Sequence, residues 1–350
     1  MVRPQKSVKK HCRGFVKVIN FAAEIIDFYS ELKTKRMKFK PFLDKWMLPC
    51  AIATGVLSYI IYHFTPALSP FGAPCHAFAS NIQPFLVAAM LFFQYIKISP
   101  HDFRPKRWHL YLILTQILLF GAAALLSANA RTPEAKLLWE CALLCFICPT
   151  ASAAGVVTEK MGGSLNSAVT YVFMINSMAT LLIPSLVPLV NPSADAPFLA
   201  TVGAIAMRIF PMLVLPCLLA WLVRYTMPGL QRWLMRRSWW SFYVWGFALT
   251  FAMMLATSAL FNSKEALTTI LMIVPLAALC CAVQFLLGRR IGAGFSNEDR
   301  STAGQSLGQK NTGFLIWLGY SYLTPVTAVV GGFYAVFQNF FNSWELAHRS

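Results

Sequence analysis

The chain has 350 residues, 57% of them hydrophobic and 12% charged, with a mean hydropathy of +0.57. Soluble domains carry about 25% charged residues, so this balance excludes an ordinary soluble protein and points to a polytopic membrane protein. A net charge of +17 would suggest nucleic acid if the cations formed one patch, but they are spread over many links, which excludes that partner.

Residues 1–45 hold twelve Lys/Arg and four Asp/Glu. Within them "FVKVINFAAEIIDFYSEL" (15–32) is apolar but interrupted by Lys17, Glu24, Asp27 and Glu31, too charged for a signal peptide or a span. The pattern predicts an amphipathic helix on an anionic lipid leaflet, so 1–45 is separated from a transporter-like domain at 46–350. A crossing helix needs roughly 20 apolar residues. Ten such stretches follow, at about 46–63, 82–98, 108–128, 137–157, 166–190, 198–223, 239–261, 266–287, 302–323 and 325–344. Basic residues mark alternate links: Lys97, Arg104, Lys106 and Arg107; then Arg224, Arg232, Arg236 and Arg237; then Arg289, Arg290 and Arg300. The intervening links are poor in cations, which places both termini on the cytoplasmic side of a plasma (inner) membrane.

Nine cysteines form no pair of CxxC motifs. Cys141, Cys145 and Cys148 share a helical face but have no histidine nearby, so they read as packing residues rather than a metal or disulfide site.

Ten crossings divide into two sets of five, and an odd number per set inverts the second copy. The predicted fold is therefore an all-α polytopic membrane protein, with ten transmembrane helices as two inverted five-helix repeats. Such folds break one helix in each half at matching positions. Span 4 contains "CPTASAAG" (148–155) and span 9 contains "GQSLGQKNTG" (304–313). Pro149 removes a backbone donor, while Gly155, Gly304, Gly308 and Gly313 permit unwound backbone. Thr150, Ser152, Gln305, Ser306, Gln309, Asn311 and Thr312 supply polar atoms. Unwound backbone is not tolerated against lipid, so both segments are expected to cross in the protein interior at a solute site.

At these segments the chain resembles the bile acid/sodium symporter family. "PTASAAGVVTEKMGGSLNSAVT" is similar to that family's fourth-to-fifth-span motif, and "SLGQKNTGF" to its ninth-span E-x-x-x-Q-N-S-G-L. "QILLFGAAALL" (116–126) and "GGFYAVFQNFFNS" (331–343) are similar to its third- and last-span motifs. The resemblance runs from about residue 46 to the end. It implies a panel of spans 1, 2, 6 and 7, and a core of spans 3–5 and 8–10. The implied solutes are organic anions: bile-acid-like sterols, keto- or hydroxy-acids, or sulfated compounds, usually carried with sodium. Gln116, Thr150, Ser152 and Asn311 keep the family's residue types, and Ser167 or Thr170 stands for its fifth-span hydroxyls. Ala153, or Gly155 with a slip, however, replaces an asparagine, the ninth-span acid falls on Ser306 or Gln305, and Lys310 replaces a sodium-site glutamine. An acid is lost and a cation gained.

An ammonium in mid-membrane costs roughly 3 kcal/mol, which marks Lys310 as functional. It is expected to stand in for the second sodium, with a proton as an alternative coupling ion and no other cofactor. Lys310 snorkelling to the surface is the opposing reading. Arg208, inside span 6, either grips an anionic group of the solute or serves packing. The expected function is alternating-access transport of a small organic anion. A channel or sensor on the same scaffold is the alternative, and an intramembrane enzyme a further one. No HExxH, GxSxG or paired intramembrane acids support catalysis, so the chain is expected not to be an enzyme.

Overall fold

A computed structural model describes residues 46–192 and 197–347. The amphipathic segment expected at 15–32 lies outside the described residues, as does Asp195. Residues 1–50 and 51–350 are separate compact units, and the description that follows concerns the second, apart from the first turn of α1.

Among the described residues the protein is all helical; its one extended feature is an isolated bridge at the site. Seven segments are long and apolar enough to cross a membrane, which makes this an integral membrane protein. They are α1 (Trp46–Phe64), the segment ending in α2 (Ser69–Tyr95), α3 (Arg107–Ala128), α6 (Leu165–Val190), the Phe198–Thr226 segment, α10 (Trp240–Phe261) and α11 (Leu267–Ala293). Between and after them run α4 (Pro133–Ile147), α5 (Ala154–Lys160), α9 (Pro228–Arg236), α12 (Asn297–Gly308), α13 (Thr312–Tyr322) and α14 (Val329–Ala347).

The second crossing segment starts far earlier than expected from apolarity. Residues 69–81, rich in Ser, Pro and Gly, are already helical, with Pro74 and Pro84 inside the helix. The Phe198–Thr226 segment is two helices, α7 (Phe198–Leu213) and α8 (Leu215–Thr226), offset at Val214 between Pro211 and Pro216.

Helix α2 packs against α7, α8 and α10, and α3, α4, α6, α11, α12 and α14 pack among themselves, with α6 against α7 and α13 against α2 and α10 joining the two sets. The tightest seam joins α11 to α12. A Cβ on Gly288 or Gly292 would collide with the Ala303 or Asp299 carbonyl of α12, and one on Gly308 with the Phe285 ring of α11. Each helix thus presents glycines at i and i+4, the spacing that lets backbones touch within a membrane. This corrects one expectation. Gly155, Gly304, Gly308 and Gly313 are all helical, and the positive φ among the described glycines belongs to Gly162. Gly304 and Gly308 serve close approach, and the unwinding falls elsewhere.

Ion pairs tie the helix ends. Lys106, just before α3, holds Asp299 of α12 at 2.6 Å, and Arg289 of α11 holds Glu345 of α14 at 2.6 Å. Burial alone would push the Asp299 carboxyl up, but the Lys106 hydrogen bond and charge, with Ser296 and Trp108, hold it below its ordinary value. Glu140 of α4 is fully buried. It accepts from the Thr324 N–H at 3.2 Å and lies 3.8 Å from Lys136.

Candidate functional site: two helix breaks paired at one point

Helix α4 begins conventionally, with Thr132 capping the Ala135 N–H and Pro133 at its first position. It stops at Ile147 because Pro149 cannot continue the hydrogen-bond ladder, and helix resumes only at Ala154. Helix α12 stops at Gly308 and α13 starts at Thr312, capped by the Asn311 side chain, which accepts from the Phe314 N–H at 3.2 Å. Two helices are thus interrupted, over 148–153 and 309–311.

The interruptions meet. Thr150 and Lys310 form an antiparallel bridge. The Ala151 N–H donates to the Gln309 carbonyl at 3.0 Å, and the Asn311 N–H donates to the Pro149 carbonyl at 3.0 Å. Each break gives the other the backbone partners it lost, as a segment without access to water requires.

Most of the remaining freed carbonyls are taken by side chains. Gln116 of α3 donates to Cys148 O at 3.2 Å and accepts from the Tyr171 hydroxyl of α6 at 3.2 Å. The Thr150 hydroxyl donates to Ser306 O at 2.5 Å, and the Tyr334 hydroxyl of α14 donates to Gly308 O at 2.8 Å. Gln284 of α11 donates to Cys145 O at 3.2 Å, and the Lys310 N–H donates to the Gln338 side chain at 2.9 Å. From the opposite helix group, Gln83 of α2 donates to Gly313 O at 3.3 Å.

Four side-chain atoms on the second interruption and the turn before it remain without hydrogen-bond partners among the described residues. They are Gln305 Oε1, Ser306 Oγ, Gln309 Oε1 and Lys310 Nζ. Lys310 is wholly buried, which overturns the snorkelling reading. No family model matches the chain, and the search of curated proteins found no match. The site is therefore read from its own geometry.

That geometry gathers some expected residues and separates others. Gln116, Thr150, Gln305, Ser306, Gln309, Lys310, Asn311 and Thr312 are all buried in or beside the two breaks. Ser152 is half-buried on the first. Ser167 and Thr170 are buried on α6, where Thr170 Oγ1 donates within its own helix to Asn166 O at 2.7 Å. Ser167 O accepts at 3.1 Å from His109 Nε2, whose Nδ1 in turn accepts from the Lys106 N–H at 2.9 Å. This pair of contacts fixes a neutral imidazole with its proton on Nε2.

Arg208 lies elsewhere. It lines a cavity of about 570 Å³ between α2 and α7–α8, walled by Pro84, Phe85, Phe92 and Met212 and floored by Trp317 of α13. The cavity adjoins the breaks, since Trp317 is one turn beyond Gly313 and Pro84 follows Gln83.

Glu345 was not anticipated as part of the site. Its Oε2 accepts from Gln305 Nε2 at 3.1 Å, so a carboxylate from the last helix reaches the position where the family pattern would place its own acid. Only the depth of a lone acid near the chain end could have signalled it. The carbonyls of Cys148, Pro149, Ser306, Gly308 and Gln309 each accept from a protein donor and Glu345 is held by Arg289, which leaves the side-chain oxygens of Gln305, Ser306 and Gln309 as the open oxygens beside the buried Lys310.

Proposed function

We propose that this protein is a secondary transporter of an organic anion, built as two inverted five-helix repeats like the bile acid/sodium symporter family, and independent of sodium. The observation that carries the reading is the antiparallel pairing of Thr150 with Lys310 inside a membrane protein. Two interrupted helices that complete one another's backbone make a joint that can rearrange without exposing polar groups to lipid. The seven segments long enough to cross, the two interrupted helices and α14 would supply the ten crossings of such a fold.

Lys310 supplies a fixed positive charge where the family uses a bound cation. Its ammonium and the Ser306 hydroxyl offer donors to an oxyanion, and the Gln305 and Gln309 oxygens offer acceptors to a hydroxyl on the same solute. The Arg208 cavity supports an amphipathic anion, because a single guanidinium, with Ser80 and Asn81, stands in a largely apolar wall. The helix group α1, α2, α7, α8 and α10 then acts as the panel, and the remainder as the moving core.

Reconstituted vesicles test this. Counterflow of a panel of carboxylates and sulfates should be saturable and equal in sodium and in choline buffers. Strict sodium dependence overturns the role given to Lys310, and chemical turnover of the solute overturns transport. Arg208→Gln should leave protein levels intact and raise KM by about 10- to 100-fold, the equivalent of one charge-assisted contact. An unchanged KM removes Arg208 from the solute site.

A further inference from the structure

Of the three basic links, two also carry acids: Asp102 in one, Glu298 and Asp299 in another. The third, between α8 and α10, carries none. No Asp or Glu occurs between Asp195 and Glu265, yet Arg224, Arg232, Arg236 and Arg237 cluster there. No described salt bridge uses any of them.

This link contains a helix rather than a loop. α9 starts at Pro228, one residue after α8 ends, and has no buried residue. It is nonetheless seated. Gln231 Nε2 donates to Ile96 O at 3.4 Å, Arg224 Nη1 donates to the same oxygen at 3.5 Å, and Leu234 packs against the core. Anchoring that face turns another outward, where Arg232 and Arg236, at i and i+4, are exposed with Leu230 and Trp233. The Arg237 guanidinium lies 4.1 Å from the Trp233 ring centre, and Trp233 meets Trp240 edge-on at 5.8 Å.

We propose that α9 and the turn after it bind the headgroup of an anionic phospholipid. Arg232, Arg236 and Arg237 take the phosphodiester, and Trp233 and Trp240 sit at the boundary with the acyl chains. Charge decides the occupant. Arginine forks match phosphate oxygens in pairs, and tryptophans favour the depth where headgroup meets hydrocarbon. With no acid in the link, an incoming anion meets no repulsion there, whereas the cation of a zwitterionic headgroup would face three guanidinium groups. The bound lipid would also be felt at the cavity. Ile96, which Gln231 of α9 and Arg224 of α8 each hold by a hydrogen bond, directly follows α2, whose Pro84 and Phe92 line it. An effect on uptake rests on the transport reading; lipid binding does not.

Native mass spectrometry of the purified full chain, titrated with phosphatidylglycerol or phosphatidylcholine, tests the site. The protein should retain phosphatidylglycerol selectively. A polybasic contact is worth about fivefold in affinity per cation, so R232Q/R236Q/R237Q should lose roughly 100-fold. The charge-conserving R232K/R236K/R237K, which also controls for folding, should stay within about tenfold of the native chain. Equal retention of the two lipids, or unchanged selectivity in the glutamine variant, overturns the proposal. Displacement of the lipid by millimolar inorganic phosphate would assign the arginines to a free anion, and a change in oligomer mass would assign them to a second copy; either also overturns it. If selectivity holds but phosphatidylglycerol leaves vesicle uptake unaltered, the lipid site stands and its coupling to transport fails.

Discussion

The two interruptions look alike in outline and differ in what they leave unpaired. The first, at 148–153, is six residues long, opens on Pro149, and carries small side chains. Its polar atoms are spent on structure: Thr150 and the carbonyls of Cys148 and Pro149 all have partners. The second, at 309–311, is three residues long and lacks proline, and it concentrates unpaired atoms in Gln309 and Lys310, with Gln305 and Ser306 just before it. Of the two breaks, the second is the one that keeps buried polar atoms without partners, and such atoms also occur elsewhere, on Gln94, Asn176 and Gln284 among others.

The widest separation of the two roles comes from Lys310→Met. The second break should lose its function and gain stability at once. Uptake should fall by more than about 100-fold, while the variant becomes about 2–3 kcal/mol more stable, roughly the cost of an ammonium at that depth. Thermal unfolding in detergent and vesicle flux measure the two effects separately. Retained uptake, or a lower Tm, would remove the distinction between the breaks.

The α11–α12 seam sets the position of the second break, so it comes next. Gly292→Leu drives a side chain into the Asp299 carbonyl, and overpacking of this kind costs about 1–3 kcal/mol. A lower yield of folded protein should follow. Normal stability would show that the seam yields and does not fix α12.

The first break should respond in the opposite sense to Lys310. Thr150→Val removes the donor to Ser306 O and should cost about 1 kcal/mol of stability, with uptake lowered only in step with it. Thr150→Ser should restore it. A selective loss of uptake at full stability would make the first break chemical as well.

Much of this contrast is legible in the sequence because it rests on local chemistry. Pro149 must end a helix, and Gln309–Lys310–Asn311 cannot sit against lipid, so both breaks can be placed before any coordinates are known. Composition misleads in two places. The Ser/Pro/Gly content of 69–81 reads as a link, yet it is helix. Gly304 and Gly308 read as unwinding residues, although their i, i+4 spacing and its echo in Gly288 and Gly292 carry the packing signal. Partnerships across the chain are not legible at all. Nothing near Glu345 indicates that it will reach Gln305, or that Glu140 will hold the Thr324 N–H, because helix tilt and rotation decide those meetings.

The smallest expected effect concerns the far end of α12, outside the apolar span. The folded Asp299 carboxyl lies below its ordinary value of 3.8, so its ionised form favours the native state. That contribution is complete at pH above the unfolded value and is lost as pH falls through the folded one. Asp299→Asn should therefore be less stable at neutral pH, and the deficit should close as the medium is acidified below about pH 4. The Lys106 side chain is 40% exposed, so water screens the pair and the deficit should stay under about 1 kcal/mol. Thermal melts of both proteins from pH 7 down to 3, at low and high salt, measure it. A deficit that persists in acid would transfer the effect from charge to the Trp108 and Ser296 hydrogen bonds. The joint at 309–311 would then be anchored by geometry, and the Lys106 charge would be incidental to how α12 is held.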